Sequence, residues 1–442
     1  VYVRLLSEAL RDLGHRVDVW SGQPYPELVD GVSLFRVPSL DLWHEQRLMR
    51  MPSLRELSDP INLSEYVHTK LGAFREPLSF SQRIARQFRR AGHARRYDIV
   101  HDNQCLGPGL LQLQAALPVV ATIHHPITVD MRIACENARS RIQLFGLRRW
   151  YSFVTTQLEV SRRLDRILTV SEASRRDLQR EYGIRAARMR VVGNGINLDV
   201  FKPMPDATRV HDELITTLSS DSPLKGFRYL LEALAQLKHK HPDLRLKVIG
   251  QPGHETGTLE RIERLGLSSR VEFTGHVPAE TIARAYANAT LAVVPSLYEG
   301  FGFPAGEAMA CEVPVVSTRG GALPEVVGED GTCGLLVPPE SADALARAID
   351  ELLTQPARRL AMGKAGRARV LEHFTWRAAA ERTVEVYREA IAERASAEQT
   401  QTERASAEQT QTEREPARVQ RTISEQTISK RTSAEPDGTL PC

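Results

Sequence analysis

Pro295-Ser-Leu-Tyr-Glu299-Gly-Phe-Gly-Phe-Pro-Ala-Gly-Glu307-Ala-Met-Ala310 is the stretch that decides the fold. The apolar run Leu291–Pro295 reads as a short buried strand, the glycines that follow as a loop, and Pro304 as the first residue of a helix. Loop amides from Gly300 to Phe303 then face forward at a helix start as unsatisfied donors, suited to hydroxyl or phosphate oxygens. Glu299 falls at the carboxyl end of the strand and Glu307 in the first turn of the helix. Two carboxylates flanking such a loop can each accept a pair of hydrogen bonds from sugar or ribose hydroxyls. Taken alone, the same pair also fits a blander reading, with Glu307 favouring the helix dipole and Glu299 solvated.

Outward from this stretch, short apolar runs alternate with helical patterns. Strands are expected near Arg16–Trp20, Val32–Val37, Asp98–His101, Pro118–Ile123, Arg166–Val170 and Arg190–Val192. A second series follows near Leu214–Leu218, Leu244–Ile249, Val271–Thr274, Leu291–Pro295, Val313–Ser317 and Gly334–Val337. Amphipathic patterns such as Ser171–Glu181, Lys225–Lys240 and Ala279–Asn288 lie between them. Strand–helix alternation predicts parallel α/β sheets, and two series broken near Gly195–Pro205 predict two doubly wound domains facing across a cleft. Ligands in such sheets sit at the carboxyl ends of the strands. The reading divides the chain into residues 1–200, 201–375, a helix over 376–393 that crosses back, and a tail over 394–442. In that tail ERASAEQTQT occurs at Glu393–Thr402 and again at Glu403–Thr412, and no aromatic follows Tyr387. Such composition buries too little apolar surface to offset its ordering entropy, so the tail is expected to be disordered. At the other end, Val1 falls inside an amphipathic helix, with no strand and glycine-rich turn before it; a truncated start, short of one strand and one loop, is the expectation.

Composition bounds the function. The 442 residues are 42% hydrophobic and 26% charged with a net charge of +3, globular usage that gives no ground for nucleic-acid binding. Five scattered cysteines without C-x-x-C spacing exclude a disulfide scaffold or zinc ribbon and fit a reducing, cytoplasmic compartment. No apolar run approaches the ~20 residues a membrane span needs. Arginine outnumbers lysine 50 to 8, so each lysine that does occur is informative. Lys225, beside a helix start, is a sensible phosphate partner, against the alternative of an ordinary surface lysine.

The opening stretch resembles the E-x7-E signature of family 4 retaining glycosyltransferases, enzymes with two Rossmann-like domains in the GT-B architecture. Ile167-Leu-Thr-Val-Ser171-Glu-Ala-Ser174, Val191-Val-Gly-Asn194-Gly195-Ile-Asn-Leu-Asp-Val-Phe201 and Lys225-Gly-Phe-Arg-Tyr-Leu-Leu-Glu-Ala233 also resemble the family, in the right order. So do Phe273-Thr-Gly-His-Val277, Gly320-Gly-Ala-Leu-Pro-Glu325 and Phe374-Thr-Trp376, and the likeness covers nearly all of residues 1–393. It implies that Glu307 holds the ribose of a nucleotide-sugar donor (UDP-, GDP- or ADP-linked). By the same likeness Glu299, with the amides of Phe301 and Gly302, holds the transferred sugar, and Gly300 and Phe303 of the same loop are expected among the substrate-binding residues. Lys225 would neutralise the departing diphosphate, and the backbone near Val277 would meet the base. Of the two histidines in Thr122-Ile-His124-His125-Pro126 only one can face the donor, because neighbouring strand residues point to opposite faces; the family pattern Thr-x-His implies that it is His124, in contact with the transferred sugar. A satisfied core histidine is the plainer alternative.

The resemblance further implies that the acceptor hydroxyl attacks from the face the diphosphate leaves, with no cofactor and no catalytic metal. His254-Glu255 lacks the second histidine of H-E-x-x-H, and no third ligand stands near His124 and His125. One departure stands out. Ser220 occupies the position of a family arginine that touches the diphosphate, in Thr217-Leu-Ser-Ser220-Asp-Ser-Pro-Leu-Lys225. An active subgroup with a rebuilt phosphate site is therefore weighed against a nucleotide-sugar-binding protein with impaired catalysis; a nucleotide-sugar 2-epimerase is the third reading. The acceptor is open, since it rests on first-domain loops such as Trp43–Ser79 that show no readable motif. Arginine clusters at Arg83–Arg96 and Arg132–Arg149 suggest either solvated helix faces or peripheral contact with an anionic membrane carrying a lipid-linked acceptor.

Overall fold

The computed structural model describes residues 1–42, 50–92, 96–136, 138, 140–253 and 257–431. Among the described residues twelve strands form, each within a few residues of its expected place. In the first half β1 (Val17–Ser21) and β2 (Val32–Arg36) make a parallel pair. Then β3 (Val100–Asn103), β4 (Val119–Ile123), β5 (Arg166–Thr169) and β6 (Met189–Val191) form a parallel sheet in chain order. All residues of β4 and β5 are buried, which is why these segments read as unbroken apolar runs rather than alternating ones. Their core is completed by Leu178 and Tyr182 of helix Glu172–Tyr182, both fully buried.

The second sheet holds β7 (Glu213–Leu218), β8 (Arg245–Gly250), β9 (Val271–Phe273), β10 (Leu291–Val294), β11 (Val315–Thr318) and β12 (Gly334–Val337). Its order is β12-β11-β10-β7-β8-β9, with every neighbouring pair parallel. The chain starts at the centre with β7, winds out to β9, returns beside β7 as β10 and winds out the other way. Between β7 and β10 the connections leave in opposite directions, and this switch point opens a crevice at the strands' carboxyl ends. Leu230, Leu231 and Leu234 of helix Phe227–Leu237 are fully buried against Leu246 and Val293. At about 1.5–3 kcal/mol for each large side chain, burial of this kind fixes the strands that carry the site.

Residues 54–70, expected as featureless loop, contain helices Leu54–Leu57 and Pro60–Lys70; residues 43–49 lie outside the described ones. Ser53 and Glu56 close a capping box on the first helix and Asp59 caps the second. The last helix, Trp376–Arg431, does not stop at 393. Up to Tyr387 it belongs to the main unit, where Trp376, Ala380 and Val384 pack on Leu5, Leu6 and Leu10 of helix Tyr2–Asp12. Tyr387 hydrogen-bonds through its hydroxyl to His101 Nδ1 (2.6 Å). Residues from Arg388 on form a separate unit, which begins six residues before the expected boundary at 394. Their helix needs no core: Ala, Glu, Gln and Arg favour helix, and pairs such as Arg394–Glu398 (2.5 Å) support it locally.

Candidate active site

The loops leaving β7 and β10 are bound to each other by backbone. Leu297 donates its amide to the carbonyl of Leu224 (2.7 Å). Gly226 has φ +61°, and a Cβ there would stand 2.0 Å from the Pro295 carbonyl oxygen, so only glycine permits this approach. The result is a side-chain pair at the switch point: Lys225 Nζ lies 2.8 Å from Glu299 Oε1. Ser296 Oγ donates to the same oxygen (2.7 Å). The Ala322 amide donates to the Glu299 carbonyl (2.9 Å), tying in helix Leu323–Val327.

Gly302 caps helix Phe303–Ala310, and buried Phe301 sits edge-on to Phe303 and Phe374 with ring centroids 5.1 and 5.7 Å apart. Because the helix begins at Phe303, Glu307 is its fifth residue and stands beyond the first turn, where the sequence reading had put it. Burial pushes its carboxyl up to about 8. The same carboxylate helps raise the buried hydroxyl of Tyr286, which in turn bonds Thr217 Oγ1 on β7 (2.7 Å). Glu307 is thus near enough to Tyr286 for its charge to be felt there, and Tyr286 in turn reaches β7. Val277 is half-buried after β9 and packs on the same apolar cluster as Phe303.

From the first half, β4 delivers His124. Its Nε2 donates to Asn103 Oδ1 (2.8 Å), its amide donates to Gln104 Oε1 (2.7 Å), and the Tyr2 ring meets it edge-on at 4.5 Å. Burial, with the neighbouring His125, pushes its imidazole down to about 4. His125 turns elsewhere, to Asp130 Oδ2 (2.7 Å). The loop of the second half touches this strand end directly: a Cβ on Gly300 would lie 2.7 Å from the His124 carbonyl oxygen. Ser171 and Ser174 donate their hydroxyls to the Gly300 carbonyl (2.7 and 3.1 Å).

This geometry has known counterparts. Residues 1–200 match the family described as Glycosyltransferase Family 4, and residues 205–369 match Glycosyl transferases group 1. The MMP alpha-(1->4)-mannosyltransferase of Mycolicibacterium hassiacum is 43% identical over 398 residues, covering 90% of this chain and 95% of that protein. The chain is a family 4 glycosyltransferase. A second relative is the GDP-mannose-dependent alpha-(1-6)-phosphatidylinositol monomannoside mannosyltransferase of Mycolicibacterium smegmatis, 34% identical over 50% of this chain and 62% of that one. Among solved structures, sucrose-phosphate synthase from Thermosynechococcus elongatus superimposes with a TM-score of 0.65 at 27% identity, covering 88% of this chain and 93% of that chain.

The glycosyltransferase thus has the GT-B architecture expected from its motifs and is a retaining sugar transferase. Among its described residues, no three His, Cys, Asp or Glu side chains gather to hold a metal ion; His254 and Glu255 fall outside them. Ser219 and Ser220 are exposed, and Ser222 Oγ accepts from the Leu224 amide (3.4 Å). Asp221 accepts from the Gly253 amide (2.9 Å) and Thr258 Oγ1 (2.7 Å), shaping the loop after β8. The reading of the sequence assigned no role to Asn103, Gln104 or Tyr2, which set His124, nor to Ser171, Ser174 and Glu325. For the last three a signal existed in the quoted Ser171-Glu-Ala-Ser174 and Pro324-Glu325 motifs, but no partner could be named.

At least three of the six arginines in the first cluster have partners within the molecule. Arg83 is buried against Glu65 (2.5 Å) and Asn62 (2.7 Å), Arg86 holds Asp59 (2.7 and 2.9 Å), and Arg89 donates to Gln112 (2.8 Å); Arg95 lies outside the described residues. Helix Arg141–Trp150 differs, exposing Ile142 and Phe145 at 85% and 69% beside Arg141 and Arg148. No helix among the described residues is long and apolar enough to cross a membrane.

Proposed function

We propose that this glycosyltransferase binds a nucleoside-diphosphate hexose, GDP-mannose first among the candidates, at the β7–β10 switch point and passes the hexose to an acceptor hydroxyl held by the first half. The observation that carries this reading is the Lys225–Glu299 contact of 2.8 Å at the crevice where doubly wound sheets bind nucleotides. Lys225 meets the diphosphate, Glu299 with the amides of Phe301 and Gly302 meets the sugar, Glu307 the ribose hydroxyls, and the backbone near Val277 the base. Gly300 and Phe303 shape the sugar loop, and Ser220 with its neighbouring hydroxyls replaces the family arginine. His124, neutral and aimed by Asn103, contacts the sugar. GDP-mannose is favoured because both relatives are mannosyltransferases and the one from Mycolicibacterium smegmatis is GDP-mannose-dependent.

The departing diphosphate is neutralised by Lys225 and loop amides, so the reaction runs without a metal; EDTA leaves turnover unchanged under this reading. The acceptor attacks from the face the diphosphate leaves, and the leaving phosphate takes its proton. Helix Arg141–Trp150, with its exposed apolar residues and arginines, supports peripheral contact with an anionic leaflet when the acceptor is lipid-linked. The free cysteines Cys105, Cys135, Cys311 and Cys333 support a cytoplasmic setting.

The test is turnover with a panel of GDP-, UDP- and ADP-hexoses, with and without saccharide and lipid-linked acceptors, reading product anomers by NMR. An acceptor-dependent α-linked product from an α-linked donor supports the reading. Nucleotide binding without turnover favours the impaired binder that Ser220 suggests, and isomerised donor without acceptor favours an epimerase.

A further inference from the structure

We propose that Glu325 is a positioning residue, a latch across the cleft that holds the loop carrying Glu299 against His124 during transfer. The proposal rests on the reading of Gly300–Phe303 as the sugar loop.

Helix Glu172–Tyr182 belongs to the first half, and its first amides are unsatisfied donors at the positive end of the helix dipole. Ser171 serves one of them from within, its Oγ accepting from the Ser174 amide (3.0 Å). The two amides before it are served from the other half of the molecule. Glu325 Oε2 accepts from the Glu172 amide and Oε1 from the Ala173 amide, both at 2.8 Å. One carboxylate thus spans two adjacent helix-start donors more than 150 residues earlier in the chain, in charge-assisted bonds.

Two more second-half groups land on the same turns. The Gly300 carbonyl accepts from Ser171 and Ser174, and Ser174 Oγ also lies 3.3 Å from the His124 carbonyl. Burial and the facing Asp177 carboxylate push the Tyr298 hydroxyl upward, which places Tyr298 against the helix as well. Glu325 lies in helix Leu323–Val327, whose preceding residue Ala322 donates to the Glu299 carbonyl. A pull on Glu325 therefore reaches Glu299 through one short element. The residues proposed for the nucleotide, Lys225, Val277 and Glu307, all sit on the second half and need no closure. Aligning the sugar with His124 does. The latch acts on turnover and on exclusion of water, leaving nucleotide affinity alone.

The experiment uses the full chain with Glu325→Ala, Glu325→Gln and Ser174→Ala, and GDP and UDP as probes. It follows hydrogen exchange at the Glu172 and Ala173 amides, nucleotide Kd and kcat. In Glu325→Ala, exchange at both amides and the drop in kcat are each expected at about 10- to 100-fold, the size of a lost charge-assisted hydrogen bond, with Kd unchanged within about twofold. Glu325→Gln, which keeps one accepting oxygen, recovers part of both effects, and Ser174→Ala shifts kcat the same way by less. Wild-type exchange and kcat in Glu325→Ala overturn the latch, as does an equal loss in Kd. Should Glu325→Ala not fold, the other two variants carry the same contrast. Failure of the underlying reading looks different: Lys225→Ala and Glu307→Ala then bind nucleotide as the wild type does.

Discussion

The ammonium of Lys225 lies 2.8 Å from the carboxylate of Glu299, joining the loops that leave the two central strands of the second sheet. With side chains only 21% and 13% exposed, each residue is the other's main compensation for lost hydration. Both are also the groups assigned to the donor, so a bound diphosphate takes over Lys225 as sugar hydroxyls take over Glu299.

Removing either partner therefore has two effects. Lys225→Ala and Glu299→Ala are each expected to lower turnover about 100- to 1000-fold, as loss of a transition-state electrostatic group does. Each also leaves a largely buried charge without its opposite charge, so the double variant is less destabilised than the sum of the singles. Thermal denaturation of all four proteins measures that coupling; strict additivity contradicts a working pair.

Glu307 makes donor binding depend on pH. Its carboxyl, pushed from 4.5 to about 8 by burial, holds a proton more tightly in the folded protein than in the unfolded chain. Its contribution to stability is full below 4.5 and is lost as pH rises through 8. A ribose diol needs the ionised acceptor, so nucleotide affinity rises by up to about tenfold per pH unit towards 8 and then levels. Calorimetric Kd values from pH 6 to 9 test this, and Glu307→Gln flattens the curve.

His124 has the opposite shift. Held near 4 by burial and the adjacent His125, it stays neutral throughout the neutral range. The pH–rate profile then shows no limb from this residue above pH 5.5, by the ~1.5-unit margin over its folded value. His124→Ala lowers kcat by about 10- to 100-fold, the size of one strong hydrogen bond, without moving the remaining limbs. A limb between pH 6 and 7 that vanishes in this variant contradicts the assignment.

Gly300→Ala tests the seam between the halves. Its new Cβ meets the His124 carbonyl at 2.7 Å, closer than atoms tolerate, so the loop must move off the first half. Turnover falls by about tenfold or more, as a misplaced reacting group requires, while the second half still binds nucleotide normally. Equal losses of kcat and nucleotide affinity contradict the view that this contact serves only alignment.

The strands were legible because burial on both faces leaves continuous apolar runs, as in Val119–Ile123 and Leu291–Val294. Pro60–Lys70 was not legible, since the residues it buries are Glu65 and Thr69 rather than an apolar stripe. The Arg83–Glu65 pair explains this: a polar face turned inward reads as a solvated one until its partner is known. Lys225, Glu299, Glu307 and His124 were legible as motif residues with a place on a strand end or helix start. Their setting was not. Asn103 and Gln104 act on His124 across a neighbouring strand, and Glu325 acts on amides of another domain. A one-residue difference in where a helix starts moved Glu307 beyond its first turn. Such relations depend on packing between distant segments, which no local pattern encodes.

The most direct test of the central claim is calorimetric titration of GDP, UDP and ADP into the wild type, Lys225→Ala and Glu307→Ala. One nucleotide binding the wild type, with affinity lost at least about tenfold in both variants, is the predicted result, each variant removing a charged contact. Unchanged affinity in both variants, or no binding by the wild type, would contradict a nucleotide site at the β7–β10 switch point.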